Sequence, residues 1–206
     1  MAQAPPARWQ CRLAGRASAQ GWSSVTEAAA ARIWTIGHST HPIGEFIALL
    51  AENRIGLLAD VRRFPGSRHN PQYHSEALAA ALGTAGIAYH HFPALGGRRR
   101  ARPDSRNAVW RNAAFRGYAD HMASAEFREA FARLEQLAAA ARTALMCAEL
   151  LWWRCHRSML ADDFSLRGWD VRHILGPGKV VDHAFREPAH LVDGVPVYDG
   201  GQPQLL

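Results

Sequence analysis

The sequence predicts a three-layer, Rossmann-like α/β domain with a mostly parallel central sheet and helices on both faces. Three observations carry this expectation. Short apolar runs of strand length alternate with stretches of helical period from about residue 33 onward. The runs "RIWTIG", "GLLADV" and "TALMC" have the apolar character of strands covered on both faces. At 206 residues and 48% hydrophobic, the chain is long enough for one sizeable core and short for two.

Residues 1–31 show no sustained period and no acid before Glu27, so they read as a disordered N-terminal extension carrying Cys11. Residues 32–206 read as one domain. "RIWTIGHST" is a strand ending at Gly37, and "HPIGEFIALLAENRI" a helix with Pro42 near its start and Ile43, Phe46, Ile47 and Leu50 on one face. "GLLADVRRFP" is a second strand, stopped by Pro65. In "HSEALAAALGTAG" Ser75 is expected as N-cap, with Gly83 or Gly86 closing the helix. "IAYHHFPALGG" is a third strand running into a glycine–arginine loop. A long helix follows, with Phe127, Phe131, Leu134 and Leu137 at helical spacing. "TALMC", "CHRSMLADDFSLRG" and "WDVRHIL" complete the pattern as strand, helix and strand. Beyond Gly176, "KVVDHAF" and "GVPVYDG" are expected to form an edge hairpin. The strands ending at His38, Arg62 and Cys147 are expected to be neighbours.

The formal charge of +6 and pI near 9.9 come from arginine, since Lys179 is the only lysine. This balance favours an anionic partner, a small molecule or a nucleic acid. No run approaches the roughly 20 apolar residues of a membrane helix, and residues 1–31 hold no signal-peptide core. A reducing cytoplasm is the expected compartment. Three cysteines do not make a disulfide framework, so Cys147 and Cys155 are expected as free thiols.

In an open parallel sheet, reactive groups collect beyond the carboxyl ends of the strands. Those ends carry Gly37, His38 and Ser39; Asp60 to Arg63; His90 and His91; and Cys147 to Glu149. Cys147 ends an apolar strand and reads equally as nucleophile or core filler. Cys155, expected to begin a helix beside Arg154, His156 and Arg157, is the better-placed thiolate. Glu149 and His38 are candidate bases, and Gly37 would let a ligand approach the backbone. Arg157 reads as an anion-binding fork. Asp60 and Arg62 either pair or serve the anion together with Arg68, Asn70 and Tyr73 of the loop that follows. Arg98 and Arg99, in "GGRRRARPDSRNAVWR", have the composition of a nucleic-acid contact. No cofactor is expected. A zinc site on Cys147, Cys155, His156 and His38 is an alternative, although the eight-residue gap between the cysteines is not the usual ligand spacing.

The blocks "TIGHST", "LLADVRRFPGSRHNPQY", "FPALGGRR", "FRGYADHM" and "ALMCAE…WRCHRSMLA" resemble the signature of the bacterial and archaeal domain-of-unknown-function family 488, over about residues 33–185. The resemblance implies a single cytoplasmic α/β domain and an enzyme, and picks out His38, Asp60, Arg62, Cys147, Glu149, Cys155, His156 and Arg157. More distantly, "LLADVR" and "TALMC" followed by an arginine-bearing helix are similar to rhodanese-type sulfurtransferases. The loop from Cys147 to Arg157 departs from these, being longer and not glycine-rich. Together these readings point to a thiol-dependent transferase or hydrolase acting on an anionic substrate. The alternatives are a nucleic-acid-binding protein with structural cysteines, or a Cys/His metal site.

Overall fold

The computed structural model describes residues 30–66 and 68–200. The N-terminal extension and Cys11 fall almost wholly outside them. Six strands form one sheet in the order β3-β2-β4-β1-β5-β6. They are β1 (Arg32–Gly37), β2 (Leu57–Asp60), β3 (Ala88–His91), β4 (Thr143–Cys147), β5 (Asp170–Gly176) and β6 (Lys179–Asp182). All neighbours run parallel except β6, which is antiparallel to β5. A separate hairpin joins β7 (His190–Val192) to β8 (Val195–Val197).

The period of two along each strand divides the core into two layers. On β4, Ala144 and Met146 pack on the side of α1 (Ile43–Glu52) and α2 (Ser75–Thr84), against Phe46, Leu50 and Leu78. Leu145 and Cys147 face the other side, against α3 (Ala113–Met122), α4 (Ala125–Ala140) and α5 (Arg157–Leu166), which bring Tyr118, Phe131 and Met159. The result is the three-layer, Rossmann-like arrangement, with β4 between β1 and β2.

Local differences have local causes. α2 begins at Ser75, but His74 occupies the N-cap position. α5 begins at Arg157 with His156 as its cap, so Cys155 precedes the helix. The segment "FRGYADHM" forms α3, capped by the Asn112 side chain accepting from Ala114 N at 2.8 Å. "KVVD" and "GVPV" do not pair with each other. "KVVD" folds back on β5 across a tight turn at Gly178, whose φ is +62°. "GVPV" folds back on β7 across Asp193 and Gly194, with φ of +51° and +74°. Consecutive positive φ values at an Asp-Gly pair are the mark of a two-residue hairpin turn, and closing these short loops is cheaper than closing the long one.

α5 is buried from Arg157 through Phe164, so its polar residues need internal partners. Asp163 receives Arg128 at 2.8 Å and Arg167 at 2.7 Å. Asp162 accepts from His183 at 2.7 Å and from the Tyr198 hydroxyl at 2.7 Å. These bonds hold the segment that starts the helix firmly under the sheet's carboxyl edge.

Candidate functional site

The carboxyl ends of β1, β4 and β2 are level. Gly37 sits opposite Cys147 and Asp60 opposite Met146. Beyond them the backbones remain tied, His38 N donating to Cys147 O at 2.9 Å and Ser39 N to Ala148 O at 3.0 Å. Gly37 serves this closeness. A Cβ there would fall 2.0 Å from Glu149 O, so the missing side chain makes room for the chain after β4 and not for a ligand. The diverging loops enclose a cleft of about 650 Å³. His38, Ser39 and Thr40 line it from β1, Arg62 to Phe64 and Asn70 from β2, and Cys147 to Leu150 from β4. Gly97, Arg98 and His156 complete it.

At the cleft floor two thiols share one imidazole. His156 Nδ1 lies 4.0 Å from Cys147 Sγ and 3.5 Å from Cys155 Sγ. Its Nε2 lies 3.0 Å from Val61 O. A carbonyl only accepts, so Nε2 donates to Val61 O and Nδ1 faces the sulfurs. Gly97 packs on this ring, where a Cβ would stand 2.8 Å from Nδ1.

The two thiols are driven apart. The neighbouring Cys155 thiol draws Cys147 well below the ordinary thiol range against the opposing effect of burial, with His156 and Arg157 acting in the same direction. Cys155 is pushed well above that range by Cys147 and by its own burial. Of the two, Cys147 is the thiol that its surroundings favour as a thiolate. Cys155 does not line the cleft. Its Sγ accepts from Arg157 N at 3.5 Å, so the helix N-terminus does address a sulfur, but the one outside the cleft lining.

Arg157 is 1% exposed, lies outside the cleft lining, and is spent on the backbone. Nη1 donates to Ile36 O, Nη2 to Leu150 O at 3.1 Å, and Nε has no partner among the described residues. It clamps β1 to the loop after β4, and its charge acts on Cys147 through the protein. Asp60, fully buried, receives Arg62 Nε at 2.8 Å, Nη2 at 2.6 Å and the Tyr89 hydroxyl at 2.8 Å. The carboxylate thus orients Arg62 and does not reach the cleft. Arg62 Nη1 in turn lies 3.2 Å from His38 Nε2. Since a guanidinium only donates, His38 keeps its proton on Nδ1, which lies 2.9 Å from Ser39 O. Burial, with Arg62 beside it, lowers His38 to about 4, so the ring is neutral and its base lone pair is occupied.

The remaining predicted residues divide. Glu149, Asn70 and Arg98 line the cleft; Glu149 also accepts from Leu151 N at 3.3 Å. Tyr73 is buried beneath His38, ring on ring at 4.0 Å. Arg99 is drawn away by Gly96 O at 3.2 Å and Ala94 O at 3.3 Å. Arg68 is exposed and outside the lining. Of the four donors weighed for zinc, Cys147, Cys155 and His156 lie within 4.8 Å of one another, and His38 is not among them. Sequence reading passed over Gly97, Thr40 and Phe64, and named Ser39 only as a strand-end residue. Ser39 and Arg98 both adopt the left-handed region, with φ of +46° and +61°, and both line the cleft.

Fold and site together define a mostly parallel α/β protein with a cleft at the carboxyl ends of its strands, lined by Cys147 and His156 with Cys155 close to both. The family model "Domain of unknown function DUF488" matches residues 42–164, and the chain belongs to that family. The matched span holds the thiols, His156 and the Asp60–Arg62 pair and begins after His38. No curated protein and no solved structure matches the chain. No helix of the described residues is long and apolar enough to cross a membrane.

Proposed function

We propose that this protein is a thiol-dependent transferase or hydrolase in which Cys147 is the nucleophile, His156 the proton acceptor and donor, and the substrate an anion. The observation that carries the proposal is the position of Cys147: at the cleft floor, with the Cys155 thiol on one side and the His156 imidazole on the other. The proton of the Cys147 thiol passes to His156 Nδ1, whose tautomer Val61 O sets. The thiolate attacks the electrophilic centre and forms a covalent thio-intermediate while the leaving group takes the proton back from His156. Water or a second substrate then releases it. Arg63 and Arg98 on the cleft wall supply the positive charge for an anionic group, and Glu149 at the rim is the group that would activate the acceptor. Free thiols of this kind belong in a reducing compartment, which supports a cytoplasmic setting.

Peptide mapping after brief exposure to substoichiometric iodoacetamide at neutral pH tests the assignment. The label is expected on Cys147, and Cys155 is expected to stay unmodified. Label on Cys155 alone would return the nucleophile to the residue before the helix. A second reading has one observation in its favour: three soft donors within 4.8 Å suit a thiolate-preferring divalent ion. Metal analysis of the purified protein separates the two. Stoichiometric zinc released only with loss of structure would make the thiolates ligands, and zinc-free folded protein leaves them to chemistry.

A further inference from the structure

We infer that the cleft seats one nucleotide unit of a single-stranded nucleic acid, with its base on Phe64 and its phosphate between Arg63 and Arg98. The inference rests on the cleft being the substrate site, and it names the substrate class. Phe64 is 63% exposed, more than any other large hydrophobic residue described, and it lies on the cleft lining. Pro65 follows it and restricts its backbone to extended conformations, which keeps the residue from turning back into a helix toward the core. The Arg63 guanidinium stands 5.2 Å from the centre of the ring. An exposed aromatic face flanked by a cation is the platform on which a base stacks.

Charge complements the ring. Arg62 is committed to Asp60, whereas Arg63 makes one bond, to Arg98 O at 3.1 Å. The Arg98 side chain has no hydrogen-bond or ion-pair partner among the described residues, and its positive φ places an arginine where glycine would be easier. Two arginines with free donors therefore line the cleft, opposed only by Glu149 among the lining acids. Asn70 adds an amide that offers both a donor and an acceptor to a base edge. Phosphate on the arginines, base face on the phenyl ring and base edge at the amide account for all three. An acidic peptide would use only the first. A duplex hides its base faces in the stack, so the ring selects an unpaired strand.

Fluorescence anisotropy with the full chain and a short labelled oligodeoxythymidylate, at several salt concentrations, tests this. Phe64→Ala is expected to weaken binding by about 5- to 150-fold with an unchanged salt slope, and Phe64→Trp to retain it. Arg98→Gln is expected to weaken binding and flatten the slope of log K against log salt by about 0.7. A duplex of matched length should bind more weakly than the strand. Equal binding by Phe64→Ala and parent, or a duplex held as tightly as the strand, overturns the inference. Competition by a nucleoside monophosphate at the strand's own concentration would assign the seat to a free nucleotide and overturn it too. Alkylation of the parent keeps the two readings apart. A fast thiol without oligonucleotide binding sinks this inference alone, and binding without a fast thiol sinks the nucleophile alone.

Discussion

Two cysteines eight residues apart are driven in opposite directions. Burial raises both, so exposure does not separate them; their effect on each other does. His156→Ala is therefore expected to keep the fold and raise the apparent pKa of the Cys147 thiol, visible as a shift of the alkylation profile to higher pH. Gly97→Ala tests the same contact from the opposite wall. Its Cβ would displace the imidazole, so alkylation should slow at least about tenfold while the melting curve changes little. Gly37→Ala is different, because backbone meets backbone there and neither side can give. It should cost about 3 kcal/mol or more in urea unfolding. Side chains at strand ends, such as His38, Cys147 and Glu149, were legible because strand ends are where such a fold gathers chemistry. Gly97 was not legible, since its meaning comes from His156 nearly sixty residues away.

At the scale of elements, the crossover from β4 into α5 is the working part. It carries both thiols and the imidazole, and Arg157 staples it to β1 through Ile36 O and Leu150 O. Arg157→Ala leaves two buried carbonyls without donors and empties the space of a large side chain, so a loss of about 3 kcal/mol is expected in urea unfolding. The alkylation pKa should rise as well, because a buried positive charge near Cys147 is lost. Arg157→Lys should recover part of each. An arginine in a first turn looks, in sequence, like a fork waiting for an anion. Its partners are backbone carbonyls, Leu150 O seven residues back and Ile36 O on a strand 121 residues away, and no local pattern records the second. Asp60, read either as the partner of Arg62 or as an anion-site residue, is buried as the orienting partner of Arg62 two residues on. Strand and helix runs were legible from period alone. The C-terminal hairpin was misjudged because two long segments were matched by composition, while the Gly178 and Asp193-Gly194 turns settled the pairing locally.

For the molecule as a whole, buried neutral histidines set the response to acid. His173 lies flat on Trp152 at 4.1 Å, between Thr35 Oγ1 at 2.7 Å and His183 at 3.0 Å, and burial lowers it to about 2. His38 is lowered to about 4. Both folded values lie below the ordinary 6.5, so as pH falls below 6.5 the unfolded chain takes up protons that the folded chain refuses. Stability is thus full above that pH and falls below it, His38 contributing down to about 4 and His173 further. Each contributes a slope of up to about 1.4 kcal/mol per pH unit. Asp162 and Asp163, raised by burial, act in the opposite sense nearer the carboxylate range, so the histidine slope is cleanest from pH 6.5 to 5. Urea midpoints across that window should fall in the parent and fall less steeply in His173→Gln; a flat parent curve would contradict the neutral assignments. Cys147, at a sheet edge that brings four distant segments together, is expected to be a thiolate. The rate of iodoacetamide alkylation against pH, in the parent and in Cys147→Ser and Cys155→Ser, tests it most directly. The parent should show a fast thiol titrating well below the roughly 8.5 of free cysteine, lost in Cys147→Ser and shifted upward but kept in Cys155→Ser. No thiol faster than free cysteine, or a fast thiol surviving in Cys147→Ser, would contradict it.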